Sequence, residues 1–166
     1  MRIEDFNQLV SSMKDKMYRL ALRIVRNEED AHDVVQESFL KIWKKREKIE
    51  QVTNQAAYCM TITRNMSIDK LRGKKMNLSD IDEQYDLKAK IADPENAYIA
   101  SDQYNRLIEI VNSLPENHKT VIQLRDVEGY TYKEISEITG YSVEKVKVYL
   151  HRARTRLRLI IKNKAS

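Results

Sequence analysis

The scarcity of glycine and proline constrains this fold more than any other feature of the sequence. The chain has 166 residues, of which 3 are glycine and 2 are proline. Antiparallel sheets need many turns, which these residues commonly supply, and nucleotide-binding α/β domains need glycine-rich phosphate loops. With 42% hydrophobic residues the chain can still build a core. The sequence therefore predicts an all-α protein.

The inventory of reactive residues is equally restrictive. The single cysteine, Cys59, excludes a disulfide framework and a cysteine-based zinc cluster. Glu29 and His32 have the spacing of half a di-iron site, but no second Glu-x-x-His exists. We therefore expect no metal, no cofactor and no enzymatic activity. No apolar run approaches the ~18 residues of a membrane span, so we expect no membrane insertion and a cytoplasmic location.

Apolar residues spaced three and four apart predict three helices in the N-terminal half. The first covers about residues 6–24. Asn27 is positioned to cap the second, and acidic residues in its first turn favour the helix dipole. The third spans roughly Gln55 to Arg72, with Gly73 as its C-terminal stop. These helices form a predicted first domain, residues 1–75.

The pattern fades over residues 76–92, which are acidic and weakly periodic. This stretch is predicted to be a flexible linker. Order returns at Asp93-Pro94, which has the features of a helix cap followed by proline at the first helical position. The second predicted domain therefore covers residues 93–166.

The second domain carries a helix-turn-helix pattern. Thr131 and Glu134 match a capping box, the short helix that follows ends at Gly140, and Ser142 caps a long final helix. A short helix, a turn containing glycine and a long basic helix together predict a DNA-binding unit. The second helix of such a unit enters the major groove.

The distribution of charge supports a polyanionic partner. The net charge is only +5, but residues 51–76 hold five basic side chains against Asp69 alone, and residues 129–166 hold nine against three. Residues 77–105, between these patches, are acidic. Two basic patches suit nucleic acid, because cations set against phosphates release counterions. The predicted DNA contacts in the helix-turn-helix are the cap and the outward face of the last helix: Ser142, Lys145, Lys147, Val148, Tyr149, Arg152 and Arg154.

Three motifs carry a family resemblance. Residues 31–43 follow D-x-x-Q-E-x-F-x-x-x-W and resemble the helix with which bacterial RNA polymerase sigma factors bind core polymerase. The run Tyr58–Arg72 is similar to the promoter-melting helix of that family. Leu114-Pro115-Glu116 and the stretch Gly129–Arg158 are similar to its C-terminal promoter domain. Their order, spacing and total length resemble the extracytoplasmic-function (ECF) subfamily, which keeps two helical domains.

The resemblance implies that Asp33, Gln36 and Glu37 bind the clamp helices of the largest polymerase subunit. Their spacing places them on one helix face. Phe39 and Trp43 fit a core role better than a contact role. The resemblance also implies an anti-sigma protein as a partner.

For the minus-ten element, the resemblance assigns a flipped base to Asn65, whose amide offers a donor and an acceptor. Tyr58 stands where the family usually has tryptophan, so either base stacking or core packing suits it. Asp69 is expected to orient Asn65 or Arg72, with helix capping as the alternative. The cations expected to hold backbone phosphates are Arg64, Lys70, Arg72, Lys74 and Lys75.

In the last helix, Lys147, Arg152 and Arg154 match basic contact positions of the family. Val148 and Tyr149 replace the small and basic residues common there, which leaves open the bases read in the minus-thirty-five element. A rival hypothesis is a dimeric helix-turn-helix regulator that dimerises through residues 1–75. The helix face of Asp33, Gln36 and Glu37 distinguishes the two hypotheses, because a protein that dimerises through this face would present apolar residues there.

Overall fold

The computed structural model describes residues 1–78 and 101–165, and within them every regular element is a helix. The predicted all-α fold is therefore confirmed. The chain divides into two compact units, Met1–Ile91 and Ala92–Ser166. The cap predicted at Asp93-Pro94 and most of the predicted linker lie outside the described residues. The helices are α1 (Ile3–Val25), α2 (Glu28–Lys44), α3 (Arg46–Glu50), α4 (Gln55–Leu78), α5 (Ser101–Asn112), α6 (Glu116–Ile122), α7 (Tyr132–Thr139) and α8 (Val143–Ala165).

In the first unit, α1, α2 and α4 pack against one another around a methionine-rich core. Met17 of α1, Ile42 of α2 and Met60 of α4 are fully buried. Cys59 is buried beside them, and burial raises the pKa of its thiol to about 12. The predicted cap of α2 is confirmed, since Oδ1 of Asn27 accepts a hydrogen bond from the backbone N–H of Asp30 at 2.9 Å.

The first unit differs from the sequence prediction in two places. A single helical turn, α3, precedes α4 and buries Ile49. The predicted stop at Gly73 is wrong, because α4 continues through it to Leu78. Gly73 does not adopt the left-handed conformation that ends a helix, and nothing crowds it. The cation after it, Lys74, forms an ion pair with Asp30 of α2, which holds this last part of α4 against the unit.

In the second unit, α6 and α7 pack on α8 and form the predicted helix-turn-helix. The capping box is present: the Thr131 N–H donates to Oε2 of Glu134 at 2.7 Å, and the Glu134 N–H donates to Oγ1 of Thr131 at 3.2 Å. Gly140 ends α7 with φ of 77°. Oγ of Ser142 accepts from the Lys145 N–H at 3.2 Å, which caps α8. The apolar residues buried between these helices are Val121, Leu124, Ile135, Ile138, Val146, Leu150 and Ala153.

The helix that starts after Pro115 widens into a π-helical turn, Gln123–Val127, before the chain reverses at Gly129. Arg125 steadies this turn: its Nη1 donates to the carbonyl of Tyr130 at 2.9 Å, and its guanidinium lies 4.9 Å from the ring centre of Tyr132. The sequence predicted a plain helical ending here, since one wider turn leaves no trace in the apolar spacing.

Candidate polymerase and promoter interfaces

The outer face of α2 is polar and accessible. Asp33, Gln36 and Glu37 are all exposed, as the sequence predicted. Leu40 lies one turn beyond Glu37 on the same face and is 60% exposed, so it belongs to this surface although it is not among the predicted contact residues. Its spacing of seven residues from Asp33 was the available signal. We call these four residues the α2 face.

Behind the α2 face, three half-buried aromatic side chains hold α1 against α2. The Phe6 ring lies 4.9 Å from that of Trp43 and 6.2 Å from that of Phe39. The Arg46 guanidinium covers Trp43 at 4.5 Å. Phe39 and Trp43 therefore act in packing, which stiffens the helix that presents the polar residues.

On α4, the candidate base-binding residue Asn65 is exposed, and so are Asp69, Arg72, Lys74 and Lys75. The side chains of Tyr58 and Arg64 are half-buried. The contact expected from Asp69 to Asn65 or Arg72 is not formed among the described residues. All three are exposed along α4, so their side chains are free to extend into solvent.

Two ion pairs join α2 to the basic side of α4, and one of them involves the α2 face. Nζ of Lys70 lies 3.6 Å from Oδ2 of Asp33, and Lys74 is paired with the largely buried carboxylate of Asp30. A cation held by a carboxylate is less available to a phosphate. Lys74 is therefore a weaker candidate for backbone contact than the exposed Lys75.

On α8, Ser142, Lys145, Lys147 and Arg152 are exposed and Val148 is 43% exposed, in agreement with the predicted outward face. His151 is also exposed and lies three residues after Val148, so both project from one side of the helix. The described residues form no cluster of potential metal ligands around it.

Two residues assigned to the outward face also make contacts within the second unit. Tyr149 is half-buried, with its ring 5.3 Å from that of His118 and 5.4 Å from that of Tyr141. The guanidinium of Arg154 donates two hydrogen bonds to the carboxylate of Asp126, at 3.1 and 2.5 Å, and this carboxylate raises the pKa of the guanidinium. Tyr149 and Arg154 therefore also hold α8 within the second unit, and their contact with DNA stays a prediction.

A family model matches each of the two units. Sigma-70 region 2 matches residues 9–76, and Sigma-70 region 4 matches residues 104–157. Over 158 residues the chain is 33% identical to the ECF RNA polymerase sigma-E factor of Haemophilus influenzae, covering 90% of this chain and 83% of that protein. The chain belongs to the ECF sigma factors. Its function is therefore to bind core RNA polymerase and direct it to promoters, and the rival dimeric regulator is not favoured.

This sigma factor has further relatives of the same kind. It is 30% identical over 155 residues to the ECF RNA polymerase sigma factor SigE of Mycolicibacterium smegmatis, covering 92% of its own length and 60% of that relative. Its fold matches that of the sigma factor RpoE, solved in complex with the anti-sigma factor NepR from Bartonella quintana, with a TM-score of 0.80 at 23% identity. That match covers 96% of this chain and 98% of the other. None of the helices in the described part of the chain has the length and apolar character needed to cross a membrane.

Proposed function

We propose that this sigma factor recruits polymerase through the α2 face and engages promoter DNA through α4 and α8. The observation that carries the proposal is the exposure of Asp33, Gln36 and Glu37 on a helix whose other side is packed in the core. The chain itself makes and breaks no bond. It acts in the cytoplasm, where core polymerase works on DNA.

Docking on polymerase uses charge and shape together. Two carboxylates and an amide precede the exposed Leu40 on this side of α2, so the α2 face combines polar groups with one apolar side chain. Such a composition is typical of protein interfaces that assemble and separate. A dimerisation face would instead bury a continuous apolar stripe, which the α2 face lacks.

At the minus-ten element, the exposed amide of Asn65 is positioned to read the edge of an unpaired base. Arg72 and Lys75 are exposed and supply backbone contacts, and Arg64 and Lys70 flank them. Tyr58 is half-buried, which suits packing with one ring face left for a base. Lys74 contributes only after its ion pair with Asp30 opens.

At the minus-thirty-five element, α8 enters the major groove with its N-terminal turns. We propose that Lys147 and Val148 face the bases and that Arg152 reaches the DNA backbone. Ser142 and Lys145, at the start of α8, hold the backbone. Tyr149 and Arg154 act within the unit: Tyr149 sets the contact with His118, and Arg154 ties α8 to the π-helical turn.

We also propose an anti-sigma partner. The sigma factor RpoE was solved in complex with the anti-sigma factor NepR. CnrH, which matches this chain with a TM-score of 0.70, was solved in complex with the cytosolic domain of CnrY. A partner that covers the α2 face would block polymerase docking. The anti-sigma factor would thereby keep this chain inactive until a signal removes it.

The first test is capture of core RNA polymerase by the purified chain, comparing wild type with Glu37→Lys. Charge reversal at this exposed position should reduce polymerase binding at least tenfold, since a like-charge contact at an interface costs more than about 1.4 kcal/mol. Helicity should stay unchanged because Glu37 makes no core contact.

Glu47→Lys is the matched control. It reverses an exposed charge on α3 in the same unit, away from the α2 face, and should bind polymerase as wild type does. Equal binding by wild type and Glu37→Lys would remove the α2 face from the mechanism. Loss of binding in both variants would point to net charge rather than to a local contact.

A further inference from the structure

A cavity of about 530 Å³ opens in the second unit between the start of α6 and the middle of α8. None of the described residues that line it carries a carboxylate. Its polar lining consists of two arginines, two histidines and two hydroxyl groups: Arg152, Arg156, His118, His151, Ser113 and Thr155. Every charge on this lining is positive, and every neutral polar group on it can donate a hydrogen bond.

The two arginines of the cavity have no carboxylate partner among the residues that the structure describes. Arg152 and Arg156 lie one helical turn apart on α8, and neither forms a salt bridge with a described residue. Arg154, between them in sequence, is bound by Asp126 on another side of the helix. The free positive charge of this part of α8 is thus concentrated on the side that faces the cavity.

His118 sits against these arginines with its Nδ1 buried and without a hydrogen-bond partner. Burial, followed by the charges of Arg152 and Arg156, lowers the pKa of this imidazole. A buried N–H at Nδ1 would have no acceptor, so the neutral ring is expected to carry its proton on Nε2. That N–H is a donor available to a ligand in the cavity.

We propose that this cavity binds a phosphate group, and that the group belongs to the DNA backbone beside α8. A phosphate oxygen pair matches the planar fork of a guanidinium, and the hydroxyl and imidazole N–H groups supply further donors. Arg152 and His151 line the cavity and also lie on the outward face of α8, so a duplex held by that face passes the cavity mouth. The inference therefore rests on the DNA contact proposed for α8.

Phosphate binding has a consequence for protonation. A negative charge in the cavity favours the charged imidazole, so it raises the pKa of His118 above its value in the free protein. Affinity for DNA then increases as the pH falls from the pKa of His118 in the complex to its pKa in the free protein. The increase is up to about tenfold per unit of difference between the two pKa values. The other groups around the ring are His151, Arg152, Arg156 and Tyr149 from α8, with Glu116 and Lys119 on α6, whose charged atoms are 3.9 Å apart.

The salt dependence of DNA binding reports the number of phosphate contacts. Each contact contributes about 0.9 to the slope of the logarithm of the binding constant against the logarithm of the salt concentration. The probe is holoenzyme bound to a promoter duplex that it has enriched from a random-sequence pool. Arg156→Gln should lower the slope by about one and the affinity about three- to tenfold. Arg158→Gln is the matched control: it removes the same charge from α8 outside the cavity and should leave the slope unchanged. Equal slopes for the two variants would overturn the proposal.

A second measurement tests the histidine. Wild-type holoenzyme should gain affinity for the duplex as the pH is lowered toward the bound and then the free pKa of His118, and His118→Gln should gain less. His32→Gln, an exposed histidine in the first unit, should keep the wild-type gain. An identical gain in all three proteins would overturn the role of His118.

Titration of the full chain with inorganic phosphate separates the sources of the ligand. Shifts of the His118 ring signals in an NMR spectrum, together with the slope change, support the backbone assignment. Ring shifts with an unchanged DNA slope would overturn it in favour of a free anion. If wild-type holoenzyme binds no duplex, the proposed DNA contact of α8 is wrong, whatever the cavity binds. If phosphate also causes no shift of the His118 ring signals, the proposal that the cavity binds phosphate is wrong as well.

Discussion

Arg152 and Arg154 are two residues apart on α8, yet they have different neighbours. Two residues along a helix correspond to a rotation of about 200°, so one guanidinium reaches solvent and the other reaches Asp126. Lys74 and Lys75 differ in a similar way, because Lys74 is paired with Asp30 and Lys75 is exposed to solvent. A count of basic side chains therefore overstates the number available to DNA, because some of them hold helices together.

The Arg154–Asp126 pair gives a prediction about stability. Arg154→Gln should lower the free energy of unfolding of the second unit by about 0.5–1 kcal/mol, a modest loss because both side chains are 38% exposed and screened by water. Hydrogen exchange of the α8 amides in the full chain measures this loss.

Asp126→Asn should cause a similar loss, and the double variant should lose less than the sum of the two. Arg158→Gln, which breaks no ion pair in the described part of the chain, is the control. Additive losses would show that Arg154 and Asp126 do not stabilise one another.

Two glycines have opposite roles in their helices. Gly73 lies inside α4 in a helical conformation, whereas Gly140 ends α7 at φ of 77°, in the left-handed region. Neither position would crowd an added Cβ, since no other atom lies within 4 Å of it. The difference between them is therefore one of backbone conformation alone.

Alanine at these two positions should change stability in opposite directions. Gly73→Ala should stabilise the first unit by about 0.5–1 kcal/mol, because it restricts the unfolded chain and favours the helix. Gly140→Ala should destabilise the second by about 1 kcal/mol through left-handed strain. Urea unfolding followed by fluorescence of Trp43, the single tryptophan, measures the first, and hydrogen exchange of α8 measures the second. A destabilising Gly73→Ala would mean that α4 does not pass through this residue.

At the scale of the whole molecule, the sigma factor consists of two compact units, each with its own core and its own proposed DNA surface. The first unit also carries the α2 face. Ion pairs from Asp30 and Asp33 to α4 join the two helices that carry the proposed polymerase and minus-ten surfaces. Polymerase docking and promoter opening can therefore be separated by substitution within a single unit.

Asn65→Ala tests that separation. The variant should bind core polymerase as wild type does, because Asn65 lies on α4 and is absent from the α2 face. It should reduce promoter opening about tenfold or more, since a base held by two hydrogen bonds loses both. Permanganate reactivity of unpaired thymines measures opening in the holoenzyme. An equal loss of polymerase binding and opening would identify Asn65 as a structural residue.

Much of the fold follows from local sequence. Apolar spacing predicts the long helices, and side chains within three residues of each helix start, such as Asn27 and Thr131, form the predicted caps. The one-turn α3, the π-helical turn and the passage of α4 through Gly73 were missed. Each of these three features depends on contacts with neighbouring helices rather than on the periodicity of its own residues.

The sequence by itself determined the all-α class, the helix-turn-helix and the family, because periodicity, capping and motif spacing act over a few residues. Only the tertiary structure decided which cations remain free and which groups share a cavity. Arg154 is bound by a residue 28 positions away, and His118 meets Arg152 and Arg156 only when α6 packs on α8. Electrostatic partners are chosen by distance in space, and the packing of helices fixes that distance after the local structure has formed.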